Sequence, residues 1–421
     1  MDKALYQQYV QLLRDELQPA LGCTEPIAVA YAAALARQTL GVLPERIIAK
    51  CNGNIIKNAK SVTVPNSGGQ KGIEAAATLG ALGGNADKKL EVLTDLTEAQ
   101  IALSRQLAAE GYCQVALEEG DAELYVEIIA MAGQETATVI LRDKHTNVYR
   151  IEKNGQVLQA QLDLAVSKDG DDTPLTVDAI LDFARSLDTA DVQDLFERQI
   201  SFNSKIAQEG IDKNYGVGIG KKLLNLYGNT VQVRASALAA AASDARMSGC
   251  DLAVVINSGS GNQGITVSLP VVEYAKELNV SREMLYRALA ISNLVSIHIK
   301  RGIGSLSAFC GAVSASAGSA AAITFLQGGS GEQIVNAISN TLAILSGVVC
   351  DGAKPSCAGK VSQAIECAVL ASSMALRNDN FQTGDGIIGD TIEATVSNVS
   401  RLAKEGMKET DIEILNIMIG K

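Results

Sequence analysis

Eight cysteines are spread along the 421 residues, and three of them have neighbours that point to shared chemistry. Within the stretch Ser305–Cys367, Cys310 sits in a helix-like run of small residues, FCGAVSASAGSAAA, while Cys350 and Cys357 bracket CDGAKPSC. Asp, Gly and Pro inside that bracket make it a loop, so its two sulfurs can face one point. The apolar helix expected over 334–349 can bring Cys310 to the same place. Three soft thiolates at one point suit iron–sulfur or zinc chemistry. Taken singly, each cysteine is equally well read as a small buried packing residue. A fourth, Cys23, lies in GCTEPIAVA. Thr24 is expected to cap a helix running to about Thr39, with Glu25 and Pro26 in its first turn. Cys23 therefore precedes a helix N-terminus, where the dipole favours a thiolate.

Several polar segments could serve a substrate. Asn66, Ser67, Gly68 and Gly69 lead into a helix, and such a loop can present backbone N–H groups to a carboxylate. Lys300 and Arg301, in SIHIKRGIG, form a cationic pair, with Arg301 able to hold a carboxylate through its fork; a solvated helix end is the alternative. The run DLAVVINSGSGNQG contains Gly259, Gly261 and Gly264 in the G-x-G-x-x-G pattern of a dinucleotide-binding turn. The chain beyond it reads as helix after helix, Pro270 interrupts the next segment, and Glu283 starts a helix, so a dinucleotide site is rejected. In GDGIIGD, Asp390 reads as a helix cap. Cys51, Cys113, Cys250 and Cys367 have no motif around them and are assigned to packing.

The cysteine motifs carry a family resemblance. Cys310, Cys350 and Cys357, at offsets of forty and seven residues, resemble the cluster-binding triad of the iron–sulfur L-serine dehydratase α-chain superfamily. The likeness is to its L-cysteine desulfidase branch, which includes uncharacterised bacterial proteins; serine dehydratases proper have a longer second gap. GCTEPIAVA, NSGSGNQG and GDGIIGD extend the likeness over nearly the whole chain. The resemblance implies a 4Fe–4S cluster on the three cysteines, one iron left without a cysteine ligand, and β-elimination of L-cysteine to sulfide, ammonia and pyruvate. It further implies that Asn257, Ser258, Ser260 and Asn262 line the substrate side, and that Cys23 is functional, as base or as a fourth cluster ligand. Asp351, next to Cys350, is the second choice of base. Lys354 would be the first candidate if a Schiff base operated instead. The alternatives are L-serine as substrate, a zinc protein using the triad with Cys23 or His298, and a redox-sensing or binding protein.

These residues have to be positioned by a large core, which 421 residues can supply. The net charge of −11 and an aromatic content of 4% without Trp argue against nucleic acid. The cysteines are too few for a disulfide framework, and neither a signal peptide nor a membrane span is evident. The expectation is a cytoplasmic protein that takes a small amino acid, with a homodimer as its candidate assembly and no membrane partner. The fold class is α+β: a mostly helical catalytic domain, 1–88 and 160–421, with a small inserted α+β domain at 89–159. Helices are expected over 3–18, 24–39, 175–187, 189–208, 230–248, 282–298, 305–323, 331–347, 358–377 and 391–405. Arg46–Pro65 reads as strand with a turn at Asn52–Gly53. In the inserted unit KKLEVLTD reads as a strand, LTEAQIALSRQLAAEGY as a helix, and four further segments as antiparallel strands. That unit has no cluster of candidate catalytic residues, and His145, in the turn DKHTN, reads as a surface residue. The triad, Cys23, NSGG and NSGSGNQG are expected to share one cavity.

Overall fold

A computed structural model describes residues 1–120, 122, 124–161, 173–304 and 307–420. The loop expected around 168–173 lies almost entirely outside the described residues, as do Ser305 and Leu306. The fold is mainly helical α+β, with helices at Gln193–Asp212, Val231–Met247, Gly261–Glu277, Arg282–Ile303, Gly311–Leu326, Gly331–Leu345 and Cys357–Leu376 forming the bulk of the core. At its centre is Gly311–Leu326, GAVSASAGSAAAITFL, which is buried almost throughout and packs against four of the others. Small side chains explain this. A Cβ at Gly318 would collide with the Ser292 carbonyl, so two helix backbones lie nearly in contact there. The hydroxyls of this helix bond to backbone, as Ser316 does to Val313 at 2.9 Å, so their burial leaves no orphan.

The segment after NSGSGNQG departs from expectation. Pro270 does not break it: Gly261–Glu277 is one helix with Pro270 inside. A proline removes the N–H that would have served the Thr266 carbonyl. Ser319 Oγ, from the central helix, donates to that carbonyl at 2.6 Å, and Ser292 Oγ donates to the next one, Val267, at 2.7 Å. Tertiary hydroxyls thus replace what the proline takes away. Two further helices, Ile219–Tyr227 and Lys408–Ile419, were also not anticipated.

The larger sheet has six strands in the order Cys113–Leu117, Arg46–Cys51, Tyr125–Ala132, Glu135–Arg142, Val148–Lys153 and Gln156–Ala160. Only its first pair is parallel. Arg46–Cys51 therefore lies in this sheet although it falls outside 89–159 in sequence, and Thr24–Leu40 packs on the sheet. Past Cys51 the strand reading fails. Asn52 accepts from Ile55 N at 3.3 Å and caps a short helix, Gly53–Ala59. KKLEVLTD is likewise no strand but part of a 3-10 turn at Ala86–Glu91, started by Asn85 bonding to Asp87 N; short apolar runs are ambiguous in period. Among the described residues no helix is long and apolar enough to cross a membrane.

A second sheet of two strands positions the site. Pro19–Leu21 pairs antiparallel with Ala253–Val255, which joins the start of the chain to the run before NSGSGNQG. Among the described residues Ala253–Val255 has no parallel neighbour, so the glycine pattern behind it is not set in a dinucleotide-binding βαβ unit there.

Candidate active site

One cavity of about 100 Å3 takes in Cys23, Cys310, Cys350 and Cys357. The triad is brought together by local pairing. Phe309 bridges Val349, Cys310 N donates to Val348 O at 3.0 Å, and Cys350 N donates to Ala308 O at 2.6 Å. Side chains alternate across such a pair, so Cys310 and Cys350, each one residue past the bridge, fall on the same face. Cys357 opens Cys357–Leu376 at the end of the loop, where its thiol donates weakly to Gly352 O at 3.6 Å. Cys310 is not inside its helix, as expected from sequence, but is the N-cap of Gly311–Leu326. Cys23, rather than Thr24, is the N-cap of Thr24–Leu40. It is reached through Gly22 at φ 62°, whose α-carbon faces Pro65 so closely that a Cβ would come to 2.7 Å.

Four helices begin at this cavity: those N-capped by Cys23, Ser260, Cys310 and Ser356. None of the four caps bonds its side chain to its helix. The positive ends of their dipoles converge on one small space, which favours anionic groups there, although the first two N–H groups behind Ser356 are already taken by Lys354 O and Pro355 O. Arg246, Lys300 and Lys360 line the same space. Arg246 is only 2% exposed, and its guanidinium has no hydrogen bond or ion pair among the described residues; its Nε is a buried donor without a partner. His145 Nε2 and Asn262 Oδ1, on the same wall, are also unpartnered. Buried polar atoms are ordinarily satisfied, so three orphans around one cavity mark where a ligand completes the bonding.

Several sequence expectations are met and others corrected. Ser258, Ser260 and Asn262 line the cavity, and Thr24 Oγ ties this loop to the first motif by donating to Gly259 O at 2.9 Å. Asn257 stands behind the wall: its Nδ2 donates to Asn293 Oδ1 at 3.0 Å, and its Oδ1 accepts from Ser258 and Ser296. The NSGG loop is not brought to the cavity. Asn66 donates to Leu93 O, Ser67 to Gln70 O, and Gly68 O accepts from Arg105, so these groups are used internally. Gly69 is likewise absent from the lining. Arg301 donates to Thr173 O at 2.9 Å and is replaced at the cavity by its neighbour Lys300. His298 is bound to Glu393 at 2.7 Å and contributes nothing to the site. Asp351 is held by Lys354 at 2.7 Å and by Lys360. Burial opposes ionisation of Asp351, yet the two lysines bring its carboxyl down to about 2, too acidic for a base. Lys354, occupied by Asp351, lies off the lining. Cys51, Cys113, Cys250 and Cys367 are buried away from it.

The thiolate expected at Cys23 is not favoured. Burial and the Glu25 carboxylate both push its thiol well up, and Cys23 Sγ donates to Glu25 Oε2 at 2.9 Å. The helix dipole loses here to desolvation and a like charge. The residue missed from sequence is His145. It comes from the loop between Glu135–Arg142 and Val148–Lys153 and reaches the cavity with its Nε2 4.0 Å from Glu25 Oε1. Burial lowers its pKa from 6.5, leaving a neutral imidazole. A histidine in a charged turn carries no burial signal, so nothing in DKHTN separates it from a surface residue.

Whether these residues suit a metal can be read from the donor set. Burial, then the Cys350 and Cys357 sulfurs, push the Cys310 thiol up to about 12, and burial raises Cys357 too. Such thiols ionise readily only when a cationic centre takes them as ligands. Among the described residues no group of three His, Cys, Asp or Glu converges tightly enough for a single ion. Zinc at about 2.3 Å from each sulfur would need that tight convergence. Thiolates on a polynuclear cluster bind separate irons, and three cysteines lining one cavity are a donor set that suits such a cluster.

Comparison with known proteins gives the family. A model of the serine dehydratase alpha chain matches residues 87–416. The UPF0597 protein of Lachnoclostridium phytofermentans is 50% identical over 416 residues, 99% of this chain and 100% of that protein. The UPF0597 proteins of Desulfitobacterium hafniense and Treponema denticola are 48% and 45% identical, over 99% and 100% of this chain and 97% and 99% of theirs. From the span of the model match and these full-length likenesses, the chain belongs to the serine dehydratase alpha chain family.

Proposed function

We propose that the protein is an L-cysteine desulfidase, eliminating sulfide from L-cysteine to leave pyruvate and ammonia. The observation that carries this reading is the meeting of the Cys310, Cys350 and Cys357 thiols with the unpartnered Arg246 guanidinium on one cavity. Held by the three cysteines, a 4Fe–4S cluster, in keeping with an iron–sulfur-associated family, would supply a soft Lewis-acidic iron suited to a sulfur leaving group. The protein's own groups account for the rest. Arg246 and the open helix N-termini bind the substrate carboxylate. His145 Nε2, neutral and unpartnered, accepts the Cα proton. As the Cα–H electrons form the Cα–Cβ double bond, the Cβ–S bond breaks and its electron pair leaves on sulfur. The 2-aminoacrylate product tautomerises and hydrolyses to pyruvate and ammonia. Cys23, its proton held toward Glu25, is placed as a hydrogen-bond donor at the same wall rather than as the base.

The test is iron and acid-labile sulfide analysis of anaerobically prepared protein, followed by sulfide and pyruvate assays with L-cysteine and with L-serine. Turnover of L-cysteine well above L-serine supports the desulfidase reading. Preference for L-serine would make the protein a serine dehydratase with the same residues, and turnover of neither would end the lyase reading. A mutant pair assigns the base: His145→Gln should abolish turnover while retaining iron, and an active His145→Gln beside an inactive Cys23→Ala would return the role to Cys23.

A further inference from the structure

Glu25 lines the cavity and is only 8% exposed. Its carboxylate accepts from Cys23 Sγ at 2.9 Å, a neutral donor, while Thr24 Oγ, 3.2 Å away, spends its one proton on Gly259 O at 2.9 Å. Among the described residues no Lys or Arg nitrogen comes within 4.0 Å of it, although three such side chains line other parts of the same cavity. Its nearest basic neighbour among the described residues is His145 Nε2, at 4.0 Å from Oε1. A carboxylate taken out of water normally has a cation beside it. Here Glu25 and His145 both line the cavity, so a cation bound in it can reach the carboxylate.

We infer that Glu25 anchors the α-ammonium group of the substrate and thereby selects α-amino acids over α-hydroxy acids. The inference rests on the lyase reading above, and it deepens that reading by assigning the substrate's positive end. Its geometry is self-consistent. The ammonium and the proton to be removed are borne by the same carbon, so one Cα seated beside the pair, facing both Oε1 and Nε2 from the cavity, presents the first to Glu25 and the second to His145. The carboxylate, on that carbon as well, turns to Arg246. Opposite charges on Glu25 and Arg246 thus read the two ends of a zwitterion, and a substrate with a hydroxyl in place of the ammonium leaves the buried carboxylate uncompensated.

The test uses ligands that cannot eliminate, L-alanine and L-lactate, with equilibrium binding to anaerobically prepared protein measured by calorimetry. Wild type should bind L-alanine at least about tenfold more tightly than L-lactate, as expected for one charge-assisted bond. Glu25→Gln should lose that preference, with L-lactate affinity unchanged within about twofold, as a purely local change predicts. Glu25→Asp should restore part of it. In turnover, Glu25→Gln should raise KM more than it lowers kcat. Equal weakening of both ligands in Glu25→Gln would show that Glu25 only holds Cys23 in place, and would overturn the inference. So would the absence of any preference in wild type, a measurement that does not depend on a variant folding. The two readings fail separately. Active protein whose Glu25→Gln variant keeps the preference sinks only the ammonium anchor, whereas inactive protein with Glu25-dependent L-alanine binding upholds the anchor and sinks the lyase.

Discussion

Replacing Arg246 by Met should separate activity from stability. The guanidinium is buried without a partner in the substrate-free protein, and Met matches its unbranched stem in shape. A hydrogen bond to a charged group contributes about 1.5–3 kcal/mol, so losing the carboxylate contact should lower kcat/KM by about 13- to 160-fold. Because the carboxylate keeps its charge throughout the elimination, ground state and transition state lose alike, and the change should fall on KM with kcat little altered. Stability should move the other way. An unsatisfied buried polar group costs about 1–3 kcal/mol, more when charged, and Arg246→Met removes it. Anaerobic sulfide-release kinetics and urea unfolding of the substrate-free protein read both effects. An unchanged KM, or a variant less stable than wild type, would show that Arg246 has a structural partner and does not wait for substrate.

Three further outcomes rest on the geometry. Serine at Cys310, Cys350 or Cys357 should each strip iron from anaerobically purified protein, whereas Cys250→Ser should keep the wild-type iron content; equal iron in all four would dissolve the triad. Asp411→Ala should cost about 3 kcal/mol in urea unfolding, the low end of the range for breaking a buried pair, because it strands Lys57, 1% exposed at its side chain, while the Asp411 side is partly hydrated. A change under half a kcal/mol would mean that Lys57 is solvated there. For Glu393, burial opposes ionisation but the His298 hydrogen bond holds its carboxyl below 4.5. A depressed folded-state value stabilises above the unfolded value and is lost as pH falls through the folded one. The stability gap between wild type and His298→Ala should therefore be present at pH 7 and shrink as pH falls below about 4.5; a gap independent of pH would refute the pairing.

Much of the helical core was legible because its signal is local. Runs such as GAVSASAGSAAAITFL have helix-compatible residues and no breaker, and Gly331–Leu345 and Cys357–Leu376 fall within one or two residues of the expected bounds. What misled was chemistry resolved only by tertiary partners. Pro270 reads as a breaker until Ser319 is seen on the Thr266 carbonyl. Asn52–Gly53 reads as a turn within a strand-like run until Asn52 is seen capping Gly53–Ala59. The site divides along the same line. Cysteines bracketed by loop residues announce themselves, since only a few short paths lead from that loop. Arg246 and His145 do not, because the significance of each is the lack of a partner, and a missing partner leaves no trace in a sequence.

The composition of the central helix bears on the site as much as the cysteines do. Four helix N-termini can open on a cavity of about 100 Å3 only if the helices behind them pack with their backbones close. Gly318 against the Ser292 carbonyl, and Gly311 against the Gln263 side chain, are the contacts that permit this. A larger residue at Gly318 would meet the Ser292 backbone, push Gly311–Leu326 away from its neighbours and carry its N-cap, Cys310, out of register with Cys350. The electrostatics of the site depend on the same closeness, since the partial positive charge of a helix end fades within its first turn. The run of Ala, Ser and Gly that reads as bland filler is therefore what lets several helix dipoles and the Arg246 guanidinium face one small cavity.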